Sequence, residues 1–122
     1  MSDTSQNQII RQKLDQAFPQ LRQCLEQLVK KLNPSRIILF GSYATGHEKP
    51  DSDLDILVTI DYSFTPQSTR MSAIREVRNI LRPLHCPKDV LVFSEEEVHE
   101  WEDYPNHIIG KAFEEGWTLY EQ

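Results

Sequence analysis

Residues 36–60 read RIILFGSYATGHEKPDSDLDILVTI, two strand-like runs joined across a turn that opens on glycine and serine. Arg36–Phe40 is short, apolar and rich in β-branched residues, the composition of a buried strand. Gly41 follows at once, and glycine lets a backbone turn sharply and approach a ligand closely. Ser42 contributes a hydroxyl, and the turn after it contributes backbone N–H groups that can hold an anionic phosphate. Residues 41–52 read as a loop, with one helical turn near Tyr43, Ala44 and Thr45. Residues 53–60 form a second strand of period two. Asp53, Asp55 and Leu57 point one way, while Leu54, Ile56 and Val58 point the other.

The paired aspartates carry the chemical content. Two residues apart on one strand face, their Cα atoms lie roughly 6–7 Å from each other. Their carboxylates can then converge on metal ions about 3.5–4 Å apart, the arrangement used in phosphoryl and nucleotidyl transfer. Such hard oxygen donors suit Mg²⁺, which takes one or two carboxylates and completes its shell with water and substrate phosphates. The plainer alternative is the solvent face of an amphipathic strand. Against it, aspartate is depleted in strands and like charges on one face repel. Asp89, at the start of the apolar run 89–93, offers a third carboxylate on a neighbouring strand, able to bind metal or to take a proton from an attacking hydroxyl. It could equally be an ordinary strand-end aspartate.

Outward from this stretch, the pattern is helical on the N-terminal side. Residues 6–18 carry Ile9, Ile10, Leu14, Ala17 and Phe18 near helical spacing; Pro19 interrupts them and can start a second helix over 20–32, with Leu21, Leu25, Leu28, Val29 and Leu32 on one face. On the C-terminal side a turn-rich segment, 61–67, leads to a helix over 68–82 with Met71, Ile74, Val77 and Leu81 as its seam, ended by Pro83. A third strand spans 88–93. Ser94 and Glu97 form a capping-box pattern that opens a short helix. Pro105 starts a last helix that points Ile108, Ile109, Ala112 and Phe113 inward and stops at Gly116, before an edge strand over 117–120. The pattern predicts an α/β fold, a two-layer sandwich in which helices pack on a small mixed sheet.

Composition narrows the function classes. The chain has 122 residues, 39% apolar and 26% charged, which suits one globular domain. Residues 1–33 would be N-terminal helices and 34–122 the catalytic core. A net charge of −6 argues against a nucleic-acid surface, which needs concentrated positive charge. No apolar run is long enough to span a bilayer and the polar N-terminus lacks a signal-peptide core, so the expected location is the cytoplasm. Cys24 and Cys86 have no metal spacing and read as free thiols. His47, His85, His99 and His107 read as surface or loop residues, and Arg75, Arg78 and Arg82 as a solvated stripe. Trp101, Tyr104 and Trp117 read as core or interface anchors.

Gly41-Ser42, ten intervening residues and Asp53-Leu54-Asp55 resemble the signature of the minimal nucleotidyltransferase domains, within the DNA-polymerase-beta-like nucleotidyltransferase superfamily. The flanking text is similar too, as is the C-terminal Glu-Glu-Gly-Trp-Thr-Leu-Tyr-Glu, so the resemblance runs from about Pro34 to the end. It implies that Gly41 and Ser42 bind the β- and γ-phosphates of ATP, that Asp53 and Asp55 ligate two Mg²⁺ ions, and that Asp89 is the third acidic position. Ser52 also matches and would shape the turn. Many relatives carry arginine where this chain has Thr45, which implies weaker phosphate neutralisation. Stand-alone domains of this size in that family are typically encoded beside a helical HEPN toxin, and the resemblance implies an antitoxin that transfers AMP to a tyrosine of that partner. Two alternatives stay open: an antitoxin that neutralises by binding alone, and transfer to a small molecule.

Overall fold

The computed structural model describes residues 4–122. In chain order the elements are α1 (Thr4–Ala17), α2 (Leu21–Leu32), β1 (Arg36–Phe40), α3 (Ser42–Thr45), β2 (Leu54–Ile60), α4 (Arg70–Ile80), a 3₁₀ turn (Arg82–Leu84), β3 (Lys88–Ser94), α5 (Glu95–Trp101), α6 (Ile108–Glu115) and β4 (Trp117–Glu121). The strands form one mixed sheet in the order β3-β2-β1-β4. β1 runs antiparallel to both neighbours, and β2 and β3 are parallel. The α/β sandwich expected from the sequence is present, and its sheet is small, mixed and packed by helices.

Strand alternation divides the core. Ile37 and Leu39 of β1, Leu54, Ile56, Val58 and Ile60 of β2, and Val90 and Val92 of β3 meet Leu14 of α1, Phe18 just after it, Leu21, Leu25, Leu28 and Leu32 of α2, and Val77 and Leu81 at the end of α4. Each such side chain, once removed from water, stabilises the fold by about 1.5–3 kcal/mol. The opposite face is smaller: Ile38, Phe40 and Leu57 pack against Ala112, with Phe113 at the margin, so α6 covers part of it. Asp55 and Asp89 belong to this second face by alternation.

Several boundaries and faces differ from expectation. α1 buries Ile10 and Leu14, with Phe18 buried just after it, but leaves Ile9 54% exposed and Ala17 at the surface. Helix α4 starts at Arg70 rather than at residue 68, because the Thr69 side chain caps it by accepting the Ser72 N–H, while Ser68 pairs back with Thr65. Met71 is 57% exposed: it lies about a third of a turn round the helix from Val77, and Ala73, Ile74 and Ile80 take the inward positions. Pro105 does not start the last helix. The His107 ring accepts the Ile109 N–H at 3.1 Å and caps α6 at Ile108, which turns Ile108 outward while Ile109 and Ala112 stay buried. The Ser94–Glu97 capping box opens α5 as expected.

Two ion-pair clusters fix the end of the sheet remote from Asp55. Arg36 lies over the Phe113 ring and donates to Glu95 at 2.6 and 3.3 Å, and Glu95 also accepts from Ser35 at 2.6 Å. Arg70 lies against the rings of Phe64 and Phe93 and makes paired bonds to Glu97 at 3.1 and 2.6 Å. Among the described residues, no helix is long and apolar enough to cross a membrane.

Candidate active site

The ladders place the carboxylates. Asp55 pairs with Phe40 across β1 and with Asp89 across β3, so two aspartates sit side by side on adjacent strands. Neighbouring strands are about 4.8 Å apart. Asp53 precedes the strand instead of lying within it: β2 begins at Leu54, whose N–H donates to the Pro87 carbonyl at 2.9 Å. Asp53 and Asp89 are exposed and Asp55 is half-buried.

This crowding raises the Asp55 carboxyl from its ordinary 3.8 to about 6. Burial is the largest cause, followed by the charges of Asp89 and Asp53. Among the described residues, no ion pair reaches any of the three carboxylates. They form a concentration of hard anionic oxygen with no protein cation against it, which fits a divalent cation in donor chemistry. The three do not make a ready cluster, however. Among the described residues, no group of three or more His, Cys, Asp or Glu side chains is gathered closely enough to hold a metal ion. Mg²⁺ needs no such set, since it retains waters and takes substrate phosphate oxygens as ligands.

Gly41 lies directly on Asp55. Its φ of +75° and ψ of −156° are open to glycine alone among common residues. A Cβ placed on it would stand 2.0 Å from Asp55 Oδ2. Both the conformation and the approach therefore require glycine here. Beyond it the chain makes α3: the Gly41 carbonyl accepts from the N–H groups of Ala44 (3.0 Å) and Thr45 (3.2 Å), and the Ser42 carbonyl from His47 N–H (3.0 Å). The first N–H groups of such a turn have no partner within it. Among the described residues the Ser42 hydroxyl has no hydrogen-bond partner, whereas the Thr45 hydroxyl turns back to the Gly41 carbonyl at 3.3 Å.

The supports of this turn come from distant segments. Trp117 Nε1 donates to the Ala44 carbonyl at 2.8 Å, tying α3 to β4. Tyr43 meets Phe18, just after α1, edge-on, with centroids 5.5 Å apart. Ser52 shapes the turn as expected: its hydroxyl accepts the Lys49 N–H at 2.7 Å, and its own N–H donates to the Lys49 carbonyl at 3.0 Å. Sequence reading gave Trp117 only a general anchoring role, because nothing in its spacing reveals a partner 73 residues away. Glu48 was not singled out; its Oε2 lies 3.4 Å from Lys13 Nζ, and its Oε1 is buried without a partner among the described residues.

Other polar residues fall outside the site. Arg75, Arg78 and Arg82 are exposed on and just after α4. His47, His85 and His99 are exposed, and the partly buried His107 ring stacks on Trp101 at 4.4 Å. Trp101 and Tyr104 are 36% and 57% exposed, so they are not core. Cys24 and Cys86 are free thiols, and burial raises the pKa of each.

A strand-borne pair of carboxylates beneath a glycine-serine turn is the layout of a nucleotidyl-transferring fold. The sequence model of the nucleotidyltransferase domain matches residues 19–119, and the chain belongs to that family. The match includes α2, earlier than the start near Pro34 read from the motifs. No curated protein matches the chain. Among solved structures, it is similar to a protein of Sulfolobus solfataricus assigned as a nucleotidyltransferase, at 14% identity and a TM-score of 0.58 over 93% of this chain and 87% of that one. It is also similar to a chain in a toxin–antitoxin structure with AMP-PNP, at 18% identity and a TM-score of 0.51 over 82% of this chain and 73% of that one. At these identities the likeness concerns the fold.

Proposed function

We propose that this nucleotidyltransferase domain moves AMP from Mg²⁺-bound ATP to a tyrosine of a partner protein in the cytoplasm, and that it serves as the antitoxin of a HEPN toxin. The observation that carries the transfer chemistry is the apposition of Gly41, Asp55 and Asp89 on one sheet face. Asp53 and Asp55 hold the metal, which neutralises phosphate charge when bound. Gly41 brings the backbone against the carboxylates without a side chain, and the Ser42 hydroxyl and the N–H groups after it hold the β- and γ-phosphates. Asp89 binds metal or takes the proton of the acceptor. In the transfer the acceptor oxygen forms a bond to the α-phosphorus, and the bond from that phosphorus to the bridging oxygen breaks. Pyrophosphate leaves with the electron pair, and the phenolic proton passes to the Asp89 carboxylate.

The protein acceptor and the antitoxin role draw support from the similarity to the toxin–antitoxin structure with AMP-PNP. Co-expression with the protein encoded beside it, followed by intact mass spectrometry of that protein, tests the reading. A gain of one or more AMP masses is expected, lost in Asp53→Ala and Asp55→Ala and in EDTA. A partner that is bound and silenced but never modified would sink transfer in favour of neutralisation by binding alone. Thr45 favours that second reading, since its hydroxyl bonds inward and it brings no positive charge to the turn.

A further inference from the structure

Residues 95–115 carry eight carboxylates and one lysine, whereas the rest of the chain holds twelve lysines and arginines against eleven carboxylates. The whole negative excess of the protein is therefore gathered on α5, α6 and the turn between them. The fold uses two of these carboxylates, pairing Glu95 with Arg36 and Glu97 with Arg70. Among the described residues, no lysine or arginine lies within ion-pair distance of Glu100, Glu102 or Asp103. Glu102 has only the exposed His99 ring at 3.6 Å, an ionic partner when that ring is protonated.

The same segment exposes three large apolar side chains, Trp101, Tyr104 and Ile108, at 36%, 57% and 41%. Its rings touch one another. Trp101 stacks on His107 with centroids 4.4 Å apart and planes 13° apart, and it meets Tyr104 edge-on at 5.4 Å. The backbone beneath them is held at several points. Tyr104 N–H donates to the Trp101 carbonyl at 3.0 Å, and His107 N–H donates to the Tyr104 carbonyl at 2.9 Å. Gly110 presses so closely on that Tyr104 carbonyl that a Cβ there would strike it. The His107 ring is fixed in turn by accepting the Ile109 N–H, and the fully buried Val98 and Ile109 anchor the two helices. The fold thus holds a set arrangement of aromatic rings out to solvent. Such a pre-formed surface loses little conformational freedom on binding, and tryptophan and tyrosine are side chains on which interfaces concentrate their energy.

We propose that this platform docks a basic segment of the partner protein, whose arginine or lysine side chains lie over the exposed rings with their charges against Glu100, Glu102 and Asp103. A cation satisfies both halves of the surface, since it is attracted to aromatic faces and to carboxylates alike. The same carboxylates repel nucleic acid and anionic lipid. They also repel the identical surface of a second copy. α6 packs through Ala112 and Phe113 on the sheet face of Ile38, Phe40 and Leu57, the face to which Asp55 and Asp89 belong. A protein held at the start of α6 therefore lies on the side of the sheet from which an acceptor reaches the carboxylates. The inference rests on the reading above for the identity of its occupant, the protein that accepts AMP; the platform itself takes no part in the transfer.

Calorimetry of the full chain with the protein encoded beside it reads the affinity directly. Trp101→Ala combined with Tyr104→Ala should weaken binding at least about tenfold. Glu100→Lys combined with Asp103→Lys, both at exposed positions, should do the same. For the unaltered chain the affinity should fall steeply as salt is raised, because rim charges are screened. In transfer assays both double variants should raise the KM for the partner at least about tenfold, with kcat and the KM for ATP unchanged. Damage to the glycine turn or the carboxylates would instead move those two quantities. Should the aromatic variant fail to fold, the charge reversal and the salt dependence of the unaltered chain decide. Unchanged affinity in both variants overturns the docking site, and the transfer reading stands if the partner still gains AMP. Affinity lost in both, for a partner that the wild type never modifies, overturns transfer and leaves the platform as a binding surface. Self-association of the chain alone that Trp101→Ala abolishes in sedimentation overturns the proposal in favour of a second copy, and a neighbour that does not bind at all overturns it outright.

Discussion

Asp55→Asn should make the metal-free protein more stable at neutral pH while abolishing its activity. The side chain keeps its shape beneath Gly41 but loses the charge that burial, Asp89 and Asp53 disfavour. A carboxyl carried from 3.8 to about 6 penalises the ionised fold by at most about 3 kcal/mol. Solvent reaches the half-buried group, which reduces the expected gain to about 1 kcal/mol. For a chain of this length that is a rise in Tm of about 4 °C. The sign of the pH dependence follows from the raised value. The folded state holds its proton more tightly than the unfolded chain, so the wild-type protein becomes relatively more stable as pH falls from about 6 towards 3.8. The advantage of the asparagine variant should therefore be largest above pH 6 and gone near pH 4. Urea unfolding of both proteins in EDTA at pH 7.5 and at pH 4 measures it. Adding Mg²⁺ with a non-hydrolysable ATP analogue should then reverse the order, because ligand at tenfold over Kd stabilises the wild type by about 1.4 kcal/mol. A variant less stable than wild type at pH 7.5 in EDTA, or a gain independent of pH, would refute the electrostatic account of this site.

Gly41→Ala forces a Cβ onto Asp55 at a glycine-only backbone conformation. It should cost at least about 1–3 kcal/mol in chemical denaturation and eliminate AMP transfer. Trp117→Phe keeps one aromatic ring but removes the five-membered half of the indole with the N–H held by Ala44; stability should fall by at least about 1 kcal/mol, and calorimetry should find weaker ATP-analogue binding with the carboxylates intact. Glu95→Gln tests the opposite sign of linkage. Burial raises the Glu95 pKa, but hydrogen bonds from Arg36, Ser35 and Thr59 outweigh it and hold the group below its ordinary 4.5. The wild type should exceed this variant by about 1 kcal/mol at pH 7 after allowance for screening, a margin lost as pH falls below 4.5.

The strands on either side of Gly41 were legible because their signals are local: a β-branched run, a turn, then strict alternation through Leu54, Ile56 and Val58. Alternation also put Asp53 and Asp55 on one face, and the structure keeps Asp55 there while leaving Asp53 just outside the strand. The position of Asp89 opposite Asp55 was not readable, since parallel pairing is set by a crossover helix and not by adjacent residues. Helix faces were read less well at element ends. Met71 and Ile108 have the hydrophobicity of core residues, yet the Thr69 and His107 caps fix where each helix starts and rotate both side chains to solvent. The supports of the glycine turn escaped for the same physical reason. Trp117 and Phe18 reach it from opposite ends of the chain, through contacts that only the closed fold creates.

The parallel pairing of β2 and β3 also makes the electric sign of this site a matter of alignment. Asp89 stands between Lys88 and Val90, so a slip of β3 by one position would present a cation or a methyl group to Asp55 in place of a carboxylate. At the far end of the strand Arg70 donates to the Val92 carbonyl and Glu97 accepts the Ser94 N–H, and these contacts resist that slip. Residues at the opposite end of β3 from Asp89 thus act as the detent that keeps the charge pattern in phase.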